Sequence, residues 1–253
     1  MKMTINDHKR IGNVIYIVEG DVDEPEMIIN LFNQFLGYSI VKYSKITGKY
    51  TELINNKDKC SKVFIIPAKY SATKKILDTF DYFDEIYHTL AVEYNLDVEN
   101  SSIYYIFDRD RKSNRQTSIL KLIDIFKNSR ENDEFMMNGL FLLSYPSIEA
   151  LYCNCNLDNV KLANGMDAKE NTKKYKNARF DSNLIKNGAT YLINKINEII
   201  DESFDVKMLD CFNGVNKKVF IYEENNYHKN NNYDTLSLFL TSLIDLGIIE
   251  IEK

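Results

Sequence analysis

The chain alternates short, continuous apolar runs with longer amphipathic stretches. Val14 to Val18 (VIYIV) is such a run and ends in Glu19-Gly20-Asp21. A helical pattern follows from about Pro25 to Phe35, with Met27, Ile28, Leu31, Phe32 and Phe35 at i, i+3/i+4 spacing. Pro25 suits the first turn of that helix. Val63 to Ile66 predicts a second buried strand, and Thr73 to Tyr94 a helix with Ile76, Leu77, Phe80, Phe83, Ile86, Tyr87 and Leu90 along one side. Ile103 to Phe107 predicts a third strand, running into Asp108-Arg109-Asp110, and Thr117 to Lys127 the next helix. Gly139 to Leu143 predicts a fourth strand, followed by Ser144-Tyr145-Pro146 and a helix starting near Ser147.

Short apolar strands alternating with helices predict an α/β fold, with a mostly parallel sheet of about four strands flanked by helices. Ligands of such sheets bind outside the carboxyl ends of the strands. The texture changes near Leu157. Residues 158–180 are polar and lysine-rich, and Leu184 to Ile200 is helical. Val206 to Tyr222 is read as carrying a strand (VFIY), the Asn-rich stretch Glu223 to Asn232 as a loop, and Asp234 to Ile249 as a closing helix. The organisation expected is a core over 1–155 and a mainly helical C-terminal extension over 156–253, packed on that core.

Composition narrows the function classes. The 253 residues are 44% hydrophobic and 27% charged, ordinary for a globular protein. No apolar run approaches the roughly 20 residues of a membrane helix, and MKMTINDHKR does not lead into a signal-peptide core. Four cysteines without an export signal predict reduced thiols and a cytoplasmic location. Cys153 and Cys155 are spaced C-x-C with no second Cys/His pair nearby, which disfavours zinc. The net charge of −5 argues against a protein held to nucleic acid by bulk charge alone.

The chemistry lies at the strand ends. Glu19 follows the first strand directly, and Asp108 and Asp110 follow the third. In a parallel sheet such residues converge, and D-x-D spacing can aim both carboxylates to one side. Crowded carboxylates need a compensating cation. Oxygen-only ligands suit Mg²⁺ or Mn²⁺, which can activate water and stabilise charge on a phosphoryl group. The plainer alternative is that acids after strands are turn formers and helix caps, as Asp21, Asp23 and Asp110 could be.

The segments VEGDVDEPEMI and YYIFDRDRKSN resemble the Toprim fold of topoisomerases, primases and nucleases, whose signature is a strand-end Glu-Gly and a later Asp-x-Asp. SYPSIEALY resembles the Ser-Asn-Pro-x-x-Glu motif of RloB-like and abortive-infection Toprim proteins. Asp23 stands where that group has threonine, and Tyr145 where it has asparagine. The resemblance covers most of residues 14–155. It implies a Toprim-like, Rossmann-like core with Glu19, Asp108, Asp110 and Glu149 as metal-binding and catalytic acids, and Glu24 as an accessory carboxylate. It also implies a Mg²⁺- or Mn²⁺-dependent nuclease acting on tRNA, other RNA or DNA, as a toxic effector in antiphage defence. The chain carries no Walker P-loop, so the ATPase that commonly accompanies such proteins would be a separate chain. A homodimer is left open.

Basic residues suggest where the substrate lies. Arg111 and Lys112, beside the D-x-D turn, are candidates to hold the scissile phosphate, whereas Arg109 can point away between the acids. Lys173, Lys174, Lys176 and Arg179, interleaved with Tyr175 and Phe180, suit a nucleic-acid backbone with unpaired bases, although a solvated loop has the same composition. The competing function is a non-catalytic binding or regulatory module whose acidic turns are structural.

Overall fold

The computed structural model describes residues 2–43, 50–67, 88–109, 111, 115–130, 139–175 and 178–252. In chain order the elements begin with β1 (Lys2–Ile5), β2 (Asn13–Val18) and α1 (Asp23–Asn30), which runs on into a wider π-type turn over Leu31–Phe35. Next come β3 (Tyr38–Lys42), β4 (Thr51–Asn55), β5 (Lys62–Pro67), a π-type turn over Thr89–Glu93 and β6 (Ser101–Asp108). They are followed by α2 (Gln116–Ile125), β7 (Lys127–Asn128), β8 (Gly139–Tyr145), α3 (Ala150–Cys155), β9 (Lys161–Leu162) and α4 (Gly165–Thr172). The remainder is α5 (Ser182–Ile200), a 3₁₀ turn over Val206–Cys211, α6 (Asn213–Asn230), β10 (Tyr233–Asp234), β11 (Leu236–Ser237), α7 (Leu240–Asp245) and β12 (Ile249–Glu252).

The fold is α/β with a mixed, partly parallel sheet and several helices toward the C-terminus. The sheet runs in the order β11-β8-β6-β2-β5-β4-β3, with β7 pairing β8. Strand β2 is parallel to both β5 and β6 and in register with them, Val14 opposite Val63 and Ser102, and Ile17 opposite Ile66 and Tyr105. These strands are buried along nearly their whole length, as continuous apolar runs require when both faces of a sheet are covered. Strands β3 and β4 extend the sheet as an antiparallel pair, and β4 pairs antiparallel with β5. The sheet therefore has eight strands among the described residues, where about four, mostly parallel, were expected.

The chain clusters into two compact units. The first comprises Met1–Lys9, Phe107–Asp110 and Leu142–Lys253, and the second Arg10–Ile106 and Arg111–Phe141. In the second unit, Tyr16 stacks on Tyr104 with ring centroids 5.3 Å apart, and Tyr105 on Phe126 at 4.0 Å. In the first unit, β1 and β12 pair antiparallel, and α5 packs along α3.

Three C-terminal expectations are corrected. The VFIY segment is not a strand but lies inside α6, with Val219 and Phe220 buried and Ile221 exposed. Glu223 to Asn232 is not a loop, since α6 continues to Asn230 and stops at Asn231, which adopts a left-handed conformation (φ 57°). Asp234 to Ile249 is not one helix but β10, β11 and the short α7. The helix predicted over Thr73 to Tyr94 lies mostly outside the described residues. In its described part, Leu90 is buried within the turn over Thr89–Glu93.

Candidate functional site

Glu19 belongs to the second unit and stands at the carboxyl end of β2. The β2–β6 register closes with Val18 opposite Ile106, and the Glu19 N–H donates to the Ile106 carbonyl (3.2 Å). Gly20 follows, and a larger residue there would require the Glu24 carboxylate to shift. A Cβ there would lie 2.2 Å from Glu24 Oε2, and the carboxylate of Glu24 is buried against this turn. Asp23, Glu24 and Glu26 occupy the first turn of α1, where acids favour the helix dipole, but the residue at the cap is Val22 and no side chain caps. Asp21 is therefore not the cap that the plainer reading allowed.

Asp108, Arg109 and Glu149 belong to the first unit. Asp108 ends β6, and its Oδ1 accepts the Ile148 N–H (2.8 Å). Ile148 lies in the turn after the cis Tyr145–Pro146 peptide, so Asp108 holds the SYPSIE segment. Glu149 is buried just before α3. Its Oε2 accepts from the Ser147 hydroxyl (2.6 Å), and Lys169 Nζ approaches Oε1 at 3.9 Å. Its side chain makes no cap hydrogen bond to the helix.

Arg109 turns away from solvent. Its N–H donates to the Ser144 carbonyl (2.9 Å), and its guanidinium Nε donates to Glu224 Oε1 (2.7 Å) with both side chains buried. The Tyr233 hydroxyl donates to the same oxygen (3.0 Å). One turn back along α6, Phe220 lies under the guanidinium at 5.4 Å. Breaking a buried pair of this kind, leaving one charge uncompensated, costs about 3–5 kcal/mol.

A second polar cluster adjoins on α6 and β10. Glu223 is fully buried; its Oε2 accepts the Asp234 N–H (3.1 Å), and Oε1 has no hydrogen-bond partner among the described residues. Burial, then the Asp234 carboxylate, push the Glu223 carboxyl up to about 8. Burial also acts to raise Asp234, but hydrogen bonds from Lys195 (2.9 Å) and Lys161 (3.0 Å) outweigh it and hold the group below its usual value. The buried Tyr145 hydroxyl is raised by burial and then by Glu223. These residues were missed in the sequence. The available signal was that Glu223 and Glu224 continue the i, i+4 stripes Val215–Val219 and Asn216–Phe220.

The remaining candidates divide. Arg111 is half-buried in the second unit. Lys173 pairs with Glu170, and Lys174 with Asp158 at 2.6 Å, so these two lysines are neutralised by neighbouring acids. Arg179 is exposed. Asp110, Lys112 and Lys176 lie outside the described residues. Among the described residues no three His, Cys, Asp or Glu side chains gather as a metal site. Burial raises the Cys153 thiol to about 11 and the Cys155 thiol to about 12, which disfavours either as a nucleophile at neutral pH. No helix among the described residues is long and apolar enough to cross a membrane. No family model, no curated protein and no solved structure matches the chain.

Proposed function

We propose that the chain is a Toprim-type nuclease that cuts nucleic-acid phosphodiesters with Mg²⁺ or Mn²⁺. One observation carries this reading. Strands β2 and β6 are parallel and in register up to Val18 and Ile106; Glu19 is the next residue after Val18, and Asp108 lies two residues beyond Ile106 in the chain. Acids at the carboxyl ends of neighbouring parallel strands are where α/β sheets place ligands. Glu19, Asp108, Asp110 and Glu149 would hold the ion, and their all-oxygen donor set suits a hard divalent cation. When bound, the ion supplies charge stabilisation to the phosphoryl oxygens and a more acidic water. Arg111 and Lys112 would orient the phosphate, and Lys173, Lys174, Lys176 and Arg179 the flanking strand. Glu24 would support the Glu19-Gly20 turn. The substrate class is RNA, including tRNA, or DNA. A role as a defence effector licensed by a separate ATPase rests on the resemblance of the three motifs alone.

The test is incubation with labelled tRNA, total RNA and plasmid DNA in Mg²⁺ or Mn²⁺, with and without any ATPase encoded beside the chain. Glu19→Ala and Asp110→Ala are each expected to lower cleavage by at least about 100-fold, the scale of a group that stabilises charge in the transition state. Cleavage that survives both substitutions refutes the assignment.

A second reading has its own support. Asp108 and Glu149 each already accept a hydrogen bond from within the protein, as purely structural acids would. In that reading the chain is a non-catalytic binding module. Calorimetric titration with Mg²⁺ separates the two, comparing wild type with Asp108→Asn, whose amide oxygen still accepts the Ile148 N–H. The nuclease reading expects binding that the substitution abolishes, and the module reading expects equal, negligible binding.

A further inference from the structure

The residue between the two acids of the Asp-x-Asp turn is a buried cation, and a cation is an expensive choice for an interior position. Arg109 has 2% of its surface exposed, as has its partner Glu224. The pair is built rather than incidental. Glu224 Oε1 receives both Arg109 Nε (2.7 Å) and the Tyr233 hydroxyl (3.0 Å), and Phe220 lies under the guanidinium. Phe220 and Glu224 are four residues apart, so one face of α6 grips the side chain at two points. The Tyr233 ring is itself held between Tyr227, at 4.7 Å, and Tyr145, at 5.8 Å.

The backbone of Arg109 is tied as well, through its N–H to Ser144. Side chains alternate along an extended chain, so a residue anchored inward commits the preceding one to the other side. Asp108 is that preceding residue, and its carboxylate reaches Ile148. We infer that Glu224 is a positioning residue: through Arg109 it fixes the direction in which the Asp108 carboxylate points. The inference rests on the proposed metal-dependent reading for its functional meaning, while the geometry it describes does not. The C-terminal region thereby takes part in the site at long range in sequence, 115 residues from Arg109.

Residues that orient a ligand carboxylate from behind typically change metal affinity or activity by about 10–100-fold when altered. The experiment uses the full chain in three variants. Glu224→Gln removes the charge and keeps an acceptor. Tyr233→Phe removes one donor to the same oxygen and is the milder lesion if Glu224→Gln does not fold. Ile196→Val trims a buried residue of α5 and reports general loosening. Amide hydrogen exchange is read without metal, and Mg²⁺ uptake is read by calorimetry.

Glu224→Gln is expected to lower protection of the Ile148 and Arg109 amides by at least about tenfold while interior α5 amides keep theirs. Tyr233→Phe acts in the same direction to a lesser extent, and Ile196→Val leaves Ile148 unchanged. Mg²⁺ affinity falls about 10–100-fold in Glu224→Gln and not in Ile196→Val. Ile148 protection that stays constant, or that moves only together with α5, overturns the inference, as does Mg²⁺ affinity equal to wild type. If wild type takes up neither Mg²⁺ nor Mn²⁺, the nuclease reading falls, and the Ile148 exchange still decides whether Glu224 orients Asp108.

Discussion

Glu223 carries its proton to higher pH than any ordinary carboxyl. It is fully buried, Asp234 stands beside it, and its carboxyl is pushed from 4.5 up to about 8. The unfolded chain releases this proton above about 4.5, whereas the folded chain keeps it to about 8. The native state therefore binds more protons across that window, and stability falls as pH rises through it. The contribution is fully present below 4.5 and lost above about 8. Asp234, held below its usual value, has the opposite sign: it contributes above the unfolded value and is lost as pH falls. Glu223→Gln removes only the first effect, and its amide oxygen can still accept the Asp234 N–H. The melting temperature of wild type relative to Glu223→Gln is expected to drop steadily from about pH 5 to about pH 8. A constant difference across that range would mean that Glu223 is ionised in the folded protein.

At the scale of elements, legibility followed the burial of polar groups. The parallel strands read correctly because every position of VIYIV, VFII and IYYIF is apolar and both faces are covered. Strand β4 was missed because its sequence, TELIN, places Thr51, Glu52 and Asn55 in the interior. Glu52 is tolerated there because Lys42 and Lys62 reach it at 3.1 and 3.8 Å. Helix α6 was misread for the same reason. Its buried face is Val215, Asn216, Val219, Phe220, Glu223 and Glu224, a regular helical stripe that is half polar. Tertiary contacts, invisible in a local window, let the acids face inward: Glu52 and Glu224 through ion pairs, and Glu223 by keeping its proton and accepting the Asp234 N–H. Of the candidate site, Glu19 and Asp108 were legible as strand-end acids, but the partners of Asp108 and Arg109 were not, because Ile148 and Glu224 are distant in sequence.

Close packing between helices gives a test of the element geometry. A Cβ on Gly188 of α5 would lie 2.8 Å from both Cys155 Sγ and Leu240 Cδ1, and 3.4 Å from the Cys155 Cα. Gly188→Ala gains up to about 1 kcal/mol of helix propensity and is expected to lose more to overpacking. Gly214, in the first turn of α6, meets nothing within 4 Å. Gly214→Ala should therefore gain up to about 1 kcal/mol. Urea midpoints should move in opposite directions for the two substitutions. A stabilising Gly188→Ala would mean that α5 does not approach α3 and α7 as closely as described.

At the scale of the whole molecule, the net charge of −5 repels a polyanion. Within the lysine run that would offset it, Lys173 is compensated by Glu170 and Lys174 by Asp158, and exposed pairs of this kind contribute little to stability. Phosphate affinity supplied by side chains alone should therefore be weak. If a divalent ion sits among the strand-end acids, it cancels charge where the phosphate must come and adds a direct ligand for it. Binding of single-stranded RNA or DNA, followed by fluorescence anisotropy with Ca²⁺ in place of Mg²⁺ to suppress cutting, is expected to require the ion and to collapse in EDTA. The salt dependence in EDTA should be shallow, since Lys173 and Lys174 are already paired with acids and release fewer counterions on meeting phosphate. Tight binding that EDTA leaves intact, with a steep salt dependence, would move the recognition surface to the basic residues. It would favour a binding module over a metal-dependent nuclease, because affinity would then owe nothing to the acids at the strand ends.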